Sequence, residues 1–256
     1  MINKLDRLIT ELKLEPEEAY LQLNRILESV NVIMATLFAE DFFKKQETDR
    51  VKRKATGELA ENEELDDSEV YFSPERGNVL FACAKSGWGF RIQHFAEMYA
   101  KRLGMNRDAL NTTLWGEYYF CAKEKSIKRT SKNGKYPRMF VQFVLQNIWH
   151  LYRVVLEEKF DFFFNEPCFC FLLIPFWKSS LEATKKVINV LGLKISDRDM
   201  RIFNTPKANF QPLLSTIFRQ WLPLSSAIIC NFAFSLFILF QYSRILILFH
   251  LERYVH

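Results

Sequence analysis

Five apolar residues in succession, Val79-Leu80-Phe81-Ala82-Cys83, lie between the turn signal Ser73-Pro74-Glu75-Arg76-Gly77 and the glycines at 87 and 89. An unbroken apolar run this short suits a strand covered on both faces. A strand is therefore expected over Asn78–Ala84, with Gly87-Trp88-Gly89-Phe90 as the turn out of it. Phe90–Leu103 follows with Ile92, Phe95, Ala96, Tyr99 and Leu103 at helical spacing, and Gly104 is placed to stop that helix. A strand–loop–helix unit is the building block of α/β folds. At 256 residues the chain is long enough for a full domain with its own core.

Helices are expected on both sides of this unit. Pro16-Glu17-Glu18 is a start signal, because Pro fits the first turn and carboxylates suit the N-terminal end of the helix dipole. Leu23, Ile26, Leu27, Val30, Ile33, Met34, Leu37 and Phe38 continue the three–four spacing for over four turns. A heptad seam fits these positions too; a helix laid on a sheet is the expected use. Residues 44–70 read as a charged, disordered insertion: Lys44–Lys54 has six basic and two acidic residues, and Ala55–Val70 has seven acidic and no basic. Further on, a short helix is expected at Arg107–Trp115 and a strand at Glu117–Ala122. Lys123–Arg138, with seven basic residues against one acidic, reads as a basic hairpin, either solvated or a contact for RNA phosphates. Helices are expected again at Met139–Glu158, Ser180–Leu191 and Pro212–Trp221.

Two segments break the pattern. Of 25 Phe, seven fall within Phe160–Trp177 and five within Ala227–His256. The first segment has no regular period and is too short to span a bilayer. In the second, Leu224–Ser243 runs 20 residues without a charge, long enough for a membrane-spanning helix, although Asn231 and Gln241 weaken that reading. The chain as a whole carries 25% charged residues, an ordinary value for a globular protein. The net charge of +5 permits an anionic partner without requiring one. Five cysteines with no CxxC pair, and four scattered histidines, imply neither a disulfide framework nor a metal site. No secretory signal is expected, since the N-terminus is charged by Lys4.

Asn3-Lys4-Leu5-Asp6 matches NKxD, the pattern with which GTP-binding proteins read guanine. The Asp carboxylate accepts from the N1–H and the exocyclic amine of guanine together, a pairing adenine cannot make. The Asn braces the loop and the Lys stem lies over the base. Alone, the same residues also read as a capping Asn and a surface ion pair. The strand at Val79–Phe81 leads into Cys83-Ala84-Lys85. That is the place, after NKxD and a helix, of the loop that touches guanine through backbone N–H groups, and Cys83 stands where Ser is commoner. Candidate nucleotide-binding residues are therefore Asn3, Lys4, Asp6, Cys83, Ala84 and Lys85. Cys83 also reads simply as a small buried strand residue.

Asn78–Phe90, Phe95–Gly104 and Leu114-Trp115-Gly116, taken with these motifs, resemble the translation GTPases of the elongation factor 2 type. Phe72–Val79, Met139–Leu145, Trp221–Ser225 and the acidic insertion before Tyr71 resemble more narrowly the elongation factor-like GTPases. The resemblance covers Ile2–Ile228 apart from Phe160–Trp177. It implies the rear half of a P-loop G domain, with flanking helices on a mostly parallel sheet, and an extra helical subdomain. It also implies GTP with magnesium as cofactors, and a cytoplasmic role on pre-large ribosomal subunits together with the Shwachman–Bodian–Diamond syndrome protein.

None of the eight glycines starts GxxxxGK[ST] or closes DxxG, so the phosphate cradle and the magnesium ligands are expected to lie upstream, and no catalytic residue is named. The expected organisation is a G-domain segment at 1–43, the insertion at 44–70, and the last strand and helix of the G domain at 71–105. A helical and hairpin subdomain follows at 106–226, interrupted at 160–177, and then an apolar tail at 227–256. The two Phe-rich segments are expected to be translated non-coding sequence in a truncated product, with a genuine hairpin and a genuine membrane anchor as competing readings. A non-catalytic interaction module and a membrane-anchored protein using residues 224–243 stand as alternatives to the inactive GTPase fragment.

Overall fold

A computed structural model describes residues 1–56, 71–121, 124, 126–131, 136–156, 181–196 and 211–229. The insertion from residue 57 to 70, Phe160–Trp177, the Lys132–Lys135 turn and the tail beyond Ile229 lie outside the described residues. The fold is mixed α/β, dominated by helices around two small sheets.

The apolar run does form a strand, β1 (Phe81–Cys83), shorter than Asn78–Ala84. The segment expected as a turn supplies its partner, β2 (Trp88–Phe90). The two pair as an antiparallel hairpin with Phe81 opposite Phe90 and Cys83 opposite Trp88, and all six residues are buried. Trp88 and Phe90 alternate with Gly89, which lets neighbouring chain come close: a Cβ there would lie 2.8 Å from Leu224 Cδ1 and 3.0 Å from the Phe81 carbonyl oxygen.

The mostly parallel sheet does not appear among the described residues. Parallel pairing is confined to one bridge, Ile2 beside Phe81. It is made by Ile2 N–H to the Leu80 carbonyl at 2.7 Å and Ala82 N–H to the Ile2 carbonyl at 2.9 Å. The hairpin occupies the other side of β1, since its turn closes locally and a parallel ladder needs distant strands. The second sheet is also antiparallel: β3 (Tyr119–Cys121) pairs with β4 (Ser126–Lys128), and Arg138 returns to bridge Tyr119.

After the short α1 (Asp6–Thr10), helix α2 runs from Pro16 to Thr56, 41 residues. It starts where Pro16-Glu17-Glu18 marks it, but it continues through residues 44–56, which composition had marked as disordered. Lys, Arg, Glu and Gln are good helix formers, so low hydrophobicity does not by itself end a helix. The expected inward stripe also divides. Ala19, Tyr20, Leu23 and Leu27 are buried, whereas Ile26 and Val30, before the tie at Asn31, and Ile33 and Leu37, after it, are exposed. There the Asn31 amide holds Phe72 twice, accepting from its N–H and donating to its carbonyl.

The remaining helices are α3 (Ile92–Leu103), α4 (Arg107–Thr113), α5 (Gln146–Leu156), α6 (Leu181–Leu191) and α7 (Gln211–Trp221). Asn106 caps α4 by accepting from Asp108 and Ala109 N–H groups. Gly104 ends α3 at φ 65°, as its place in the sequence predicts. A wide π turn at Val141–Leu145 precedes α5. There the Phe143 carbonyl accepts from the Tyr99 hydroxyl at 2.8 Å and the Asn147 amide at 2.7 Å, tying α3 to α5 in the core. The core itself is aromatic. Phe81 meets Phe90, Phe140 and Trp115 at ring distances of 5.4, 5.4 and 5.7 Å, and Trp88 stacks on Phe218 of α7 at 4.7 Å.

His150 on α5 gives the fold a pH dependence. Burial first, and then the charge of Arg153, push it down to about 4, and its buried Nε2 has no hydrogen-bond partner among the described residues. A His depressed below its unfolded value of about 6.5 contributes stability that is present at neutral pH and lost as pH falls from about 6.5 to about 4. The loss amounts to about 3 kcal/mol across that window. Glu15, raised mainly by its own burial, works in the opposite direction. Urea unfolding near neutral pH and near pH 4 should therefore show a shallower pH dependence in His150→Gln than in the wild type. Equal slopes would remove His150 as the cause.

Candidate functional site

The N-terminal segment meets the β1–β2 turn because Ile2 pairs with β1. Leu5, the variable residue of the Asn3–Asp6 motif, is buried and donates its N–H to the Ala82 carbonyl at 3.1 Å. This anchors the motif one residue before the turn. Asn3, exposed at the surface, then reaches across: its Oδ1 accepts from the Ala84 N–H at 3.0 Å and from its own neighbour, the Lys4 N–H, at 2.8 Å. Residues 81 positions apart are joined through one side-chain oxygen. Lys4 adopts φ 65°, a left-handed conformation that non-glycine residues visit rarely and that marks sites held by their surroundings.

Asp6 opens α1 beside the Cys83 thiol. Burial pushes Cys83 above its ordinary value; hydrogen bonding to Ser86 lowers it, and Asp6 raises it further. The thiol therefore stays protonated at neutral pH and can donate. Below these groups lies a cavity of about 440 Å³, lined by Asp6, Thr10 and Glu11 from α1, Lys85 and Ser86 from the turn, Tyr152 from α5, and the first turns of α7. That volume is in the range of small-ligand pockets. Burial, with the charges of Cys83 and Asp6 after it, raises the Tyr152 hydroxyl above its ordinary value, so it too remains a neutral hydrogen-bonding group.

The structure brings the N-terminal motif against the β1–β2 turn. Asn3 and Ala84 are bonded, Asp6 and Cys83 are adjacent, and Asp6 and Lys85 share the cavity wall. Sequence reasoning missed Ser86, Tyr152 and the α7 residues. Ser86 follows the candidate turn directly; Tyr152 and Gln211 carry no local signal, because only packing brings their helices beneath it.

Among the described residues no group of three or more His, Cys, Asp or Glu side chains could hold a metal ion. Asp6 lines the cavity, and the Ala84 N–H is held by Asn3. Of the seven basic residues in Lys123–Arg138, three are described, and each has a partner. Lys128 pairs with Glu124, Arg138 pairs with Glu17 and Glu117 while lying over the Tyr20 ring, and Arg129 lies over Tyr118. No helix of the described residues is long and apolar enough to cross a membrane; most of the candidate span Leu224–Ser243 falls outside them.

No protein-family model matches the chain. Curated proteins do. The chain is 38% identical over 240 residues to elongation factor-like GTPase 1 of Mus musculus, covering 90% of the chain and 19% of that protein. It is 38% identical over 244 residues to elongation factor-like GTPase 1 of Homo sapiens, with the same coverage. It is 36% identical over 232 residues to ribosome assembly protein 1 of Schizosaccharomyces pombe, again covering 90% of the chain and 19% of the relative. The chain thus spans about a fifth of the length of these relatives.

Proposed function

Because the chain is related over 90% of its length to elongation factor-like GTPase 1, we propose that it is the guanine-reading segment of a GTPase of ribosome assembly. The observation that carries this reading is the Asn3–Ala84 hydrogen bond, which joins the two guanine-recognition motifs across the fold. Asp6 would accept from the N1–H and exocyclic amine of guanine, while Asn3 holds the turn at Ala84 and the Lys4 stem covers the base. Cys83, in place of the commoner Ser, would donate its thiol proton toward Asp6 and keep the carboxylate aimed.

Within these 256 residues no GxxxxGK[ST] sequence provides a phosphate cradle. The chain by itself would therefore recognise the base and hydrolyse no GTP; the phosphate half would come from further sequence. Its setting would be the cytoplasm, on a pre-large ribosomal subunit with the Shwachman–Bodian–Diamond syndrome protein. Residues 123–138 would add a salt-sensitive contact with RNA phosphates, with Lys128 and Arg138 already held by carboxylates.

Titration of the full chain with guanosine, GDP and adenosine tests the reading. Guanosine should bind at least about tenfold more tightly than adenosine, since only guanine offers both donors to Asp6. GDP should match guanosine within about threefold, because the phosphates find no cradle. Equal binding of guanosine and adenosine would end the proposal. Measured hydrolysis of GTP by the isolated chain would end the claim of inactivity.

A further inference from the structure

The turn Ala84–Gly87 is held from two sides. On one flank the Ala84 N–H donates to Asn3 Oδ1. On the other, Arg219 near the end of α7 donates Nε to the Ser86 carbonyl at 3.0 Å. The chain after Arg219 continues along the hairpin. The Leu224 N–H reaches the Gly87 carbonyl at 3.3 Å, the Gly89 N–H donates to the Leu222 carbonyl at 3.0 Å, and Pro223 bridges Trp88. Gly87 sits at φ 73°, and a Cβ there would come within 2.7 Å of Arg219 Nε, so the close approach depends on both residues.

Helix α7 does not need Arg219 to stay in place. Leu213, Leu214, Ile217 and Phe218 are buried, and Phe218 stacks on Trp88. Arg219 itself is exposed. Its described hydrogen bond goes to a single backbone oxygen of the turn, three residues before Gly89 and two after Ala84. That is the arrangement of a side chain that sets loop geometry without supporting the core.

We propose that Arg219 is the positioning residue of the base-contacting turn: its Nε–Ser86 bond holds the turn where the Ala84 N–H meets Asn3. This rests on the guanine reading above and adds a residue outside both recognition motifs. Without that bond the turn is held on that flank by the backbone of residues 222–224 alone, the Ala84–Asn3 bond opens more often, and Asn3 braces the turn beside the base less firmly. Coupling of this kind is reciprocal, so a base seated against the turn tightens residues 219–224 in return.

Amide hydrogen exchange on the full chain, with no nucleotide present, tests this. Arg219→Met keeps the length of the side chain and removes the donor; Arg219→Gln places an amide N–H at the position of Nε. Exchange at Ala84 should be about tenfold faster in Arg219→Met, with Phe95 and Tyr99 of α3 unchanged, and most of the protection should return in Arg219→Gln. Guanosine affinity should fall by about tenfold in Arg219→Met and recover in Arg219→Gln. Unchanged exchange at Ala84 in Arg219→Met would overturn the proposal. Equal loss in both variants would also overturn it, because packing rather than the donor would then be responsible. If the wild type does not prefer guanosine, the guanine reading falls, while the exchange at Ala84 still decides the role of Arg219.

Discussion

Replacing Phe81 by Ala is expected to destabilise the protein by about 3–5 kcal/mol, the cost of emptying a large aromatic site in a core. Phe81 is fully buried and lies where four elements meet. Its ring packs on Phe90 across the hairpin, on Trp115 after α4, and on Phe140 at the start of the π turn. Its backbone also carries the parallel bridge to Ile2 that places the Asn3–Asp6 motif. Small domains have total stabilities of about 5–15 kcal/mol, so the variant should be close to unfolded at 37 °C. Urea unfolding of both proteins measures the change directly. A cost below about 1 kcal/mol would show that the rings around Phe81 close over the gap, and that the hairpin is not the centre of the core.

The second large effect is on recognition. Asp6→Asn should lower guanosine affinity by about 100-fold, because the amide offers one acceptor where guanine presents two donors and sets its own N–H against one of them. Xanthosine carries a carbonyl where guanosine carries the amine, so it should bind the variant better than guanosine does. Asp6 lies at the start of α1 on the cavity wall, not in the core, and the thermal midpoint should move little. The comparison of guanosine and xanthosine on the two proteins is therefore a test of base reading separate from folding. Unchanged preference would remove Asp6 from the site.

Local signals read the helices well. Pro16 and Gly104 mark ends that the structure keeps, because a helix start or a left-handed stop depends on neighbours a few positions away. The stretch after Met139 is helical as expected, but it is buried on more than one side: Phe140, Phe143, Ile148 and Val155 are buried, and so are Leu145, Trp149 and Val154. The same method failed on Ile26, Val30, Ile33 and Leu37, whose spacing equals that of a core face but which are exposed. Periodicity states that a helix has an apolar side, and not whether anything lies against it. Composition failed on residues 44–56, since low hydrophobicity excludes burial and does not exclude a helix.

For the site, the residue types at 3, 4, 6 and 83–85 were legible in the chain alone, because hydrogen-bonding chemistry depends on which side chains are present. So was the apolar run that becomes β1. That Asn3 and Ala84 meet was decided by the tertiary structure, since a contact 81 residues apart requires Ile2 to lie parallel to β1. Tertiary packing also made Trp88–Phe90 a strand rather than part of the turn, as Trp88 found Phe218 to stack on and residues 219–224 to lie against. Arg219 is the clearest case. Nothing near it in the sequence marks it, because its partner is a backbone oxygen, and backbone oxygens look alike until the fold brings one of them to 3.0 Å.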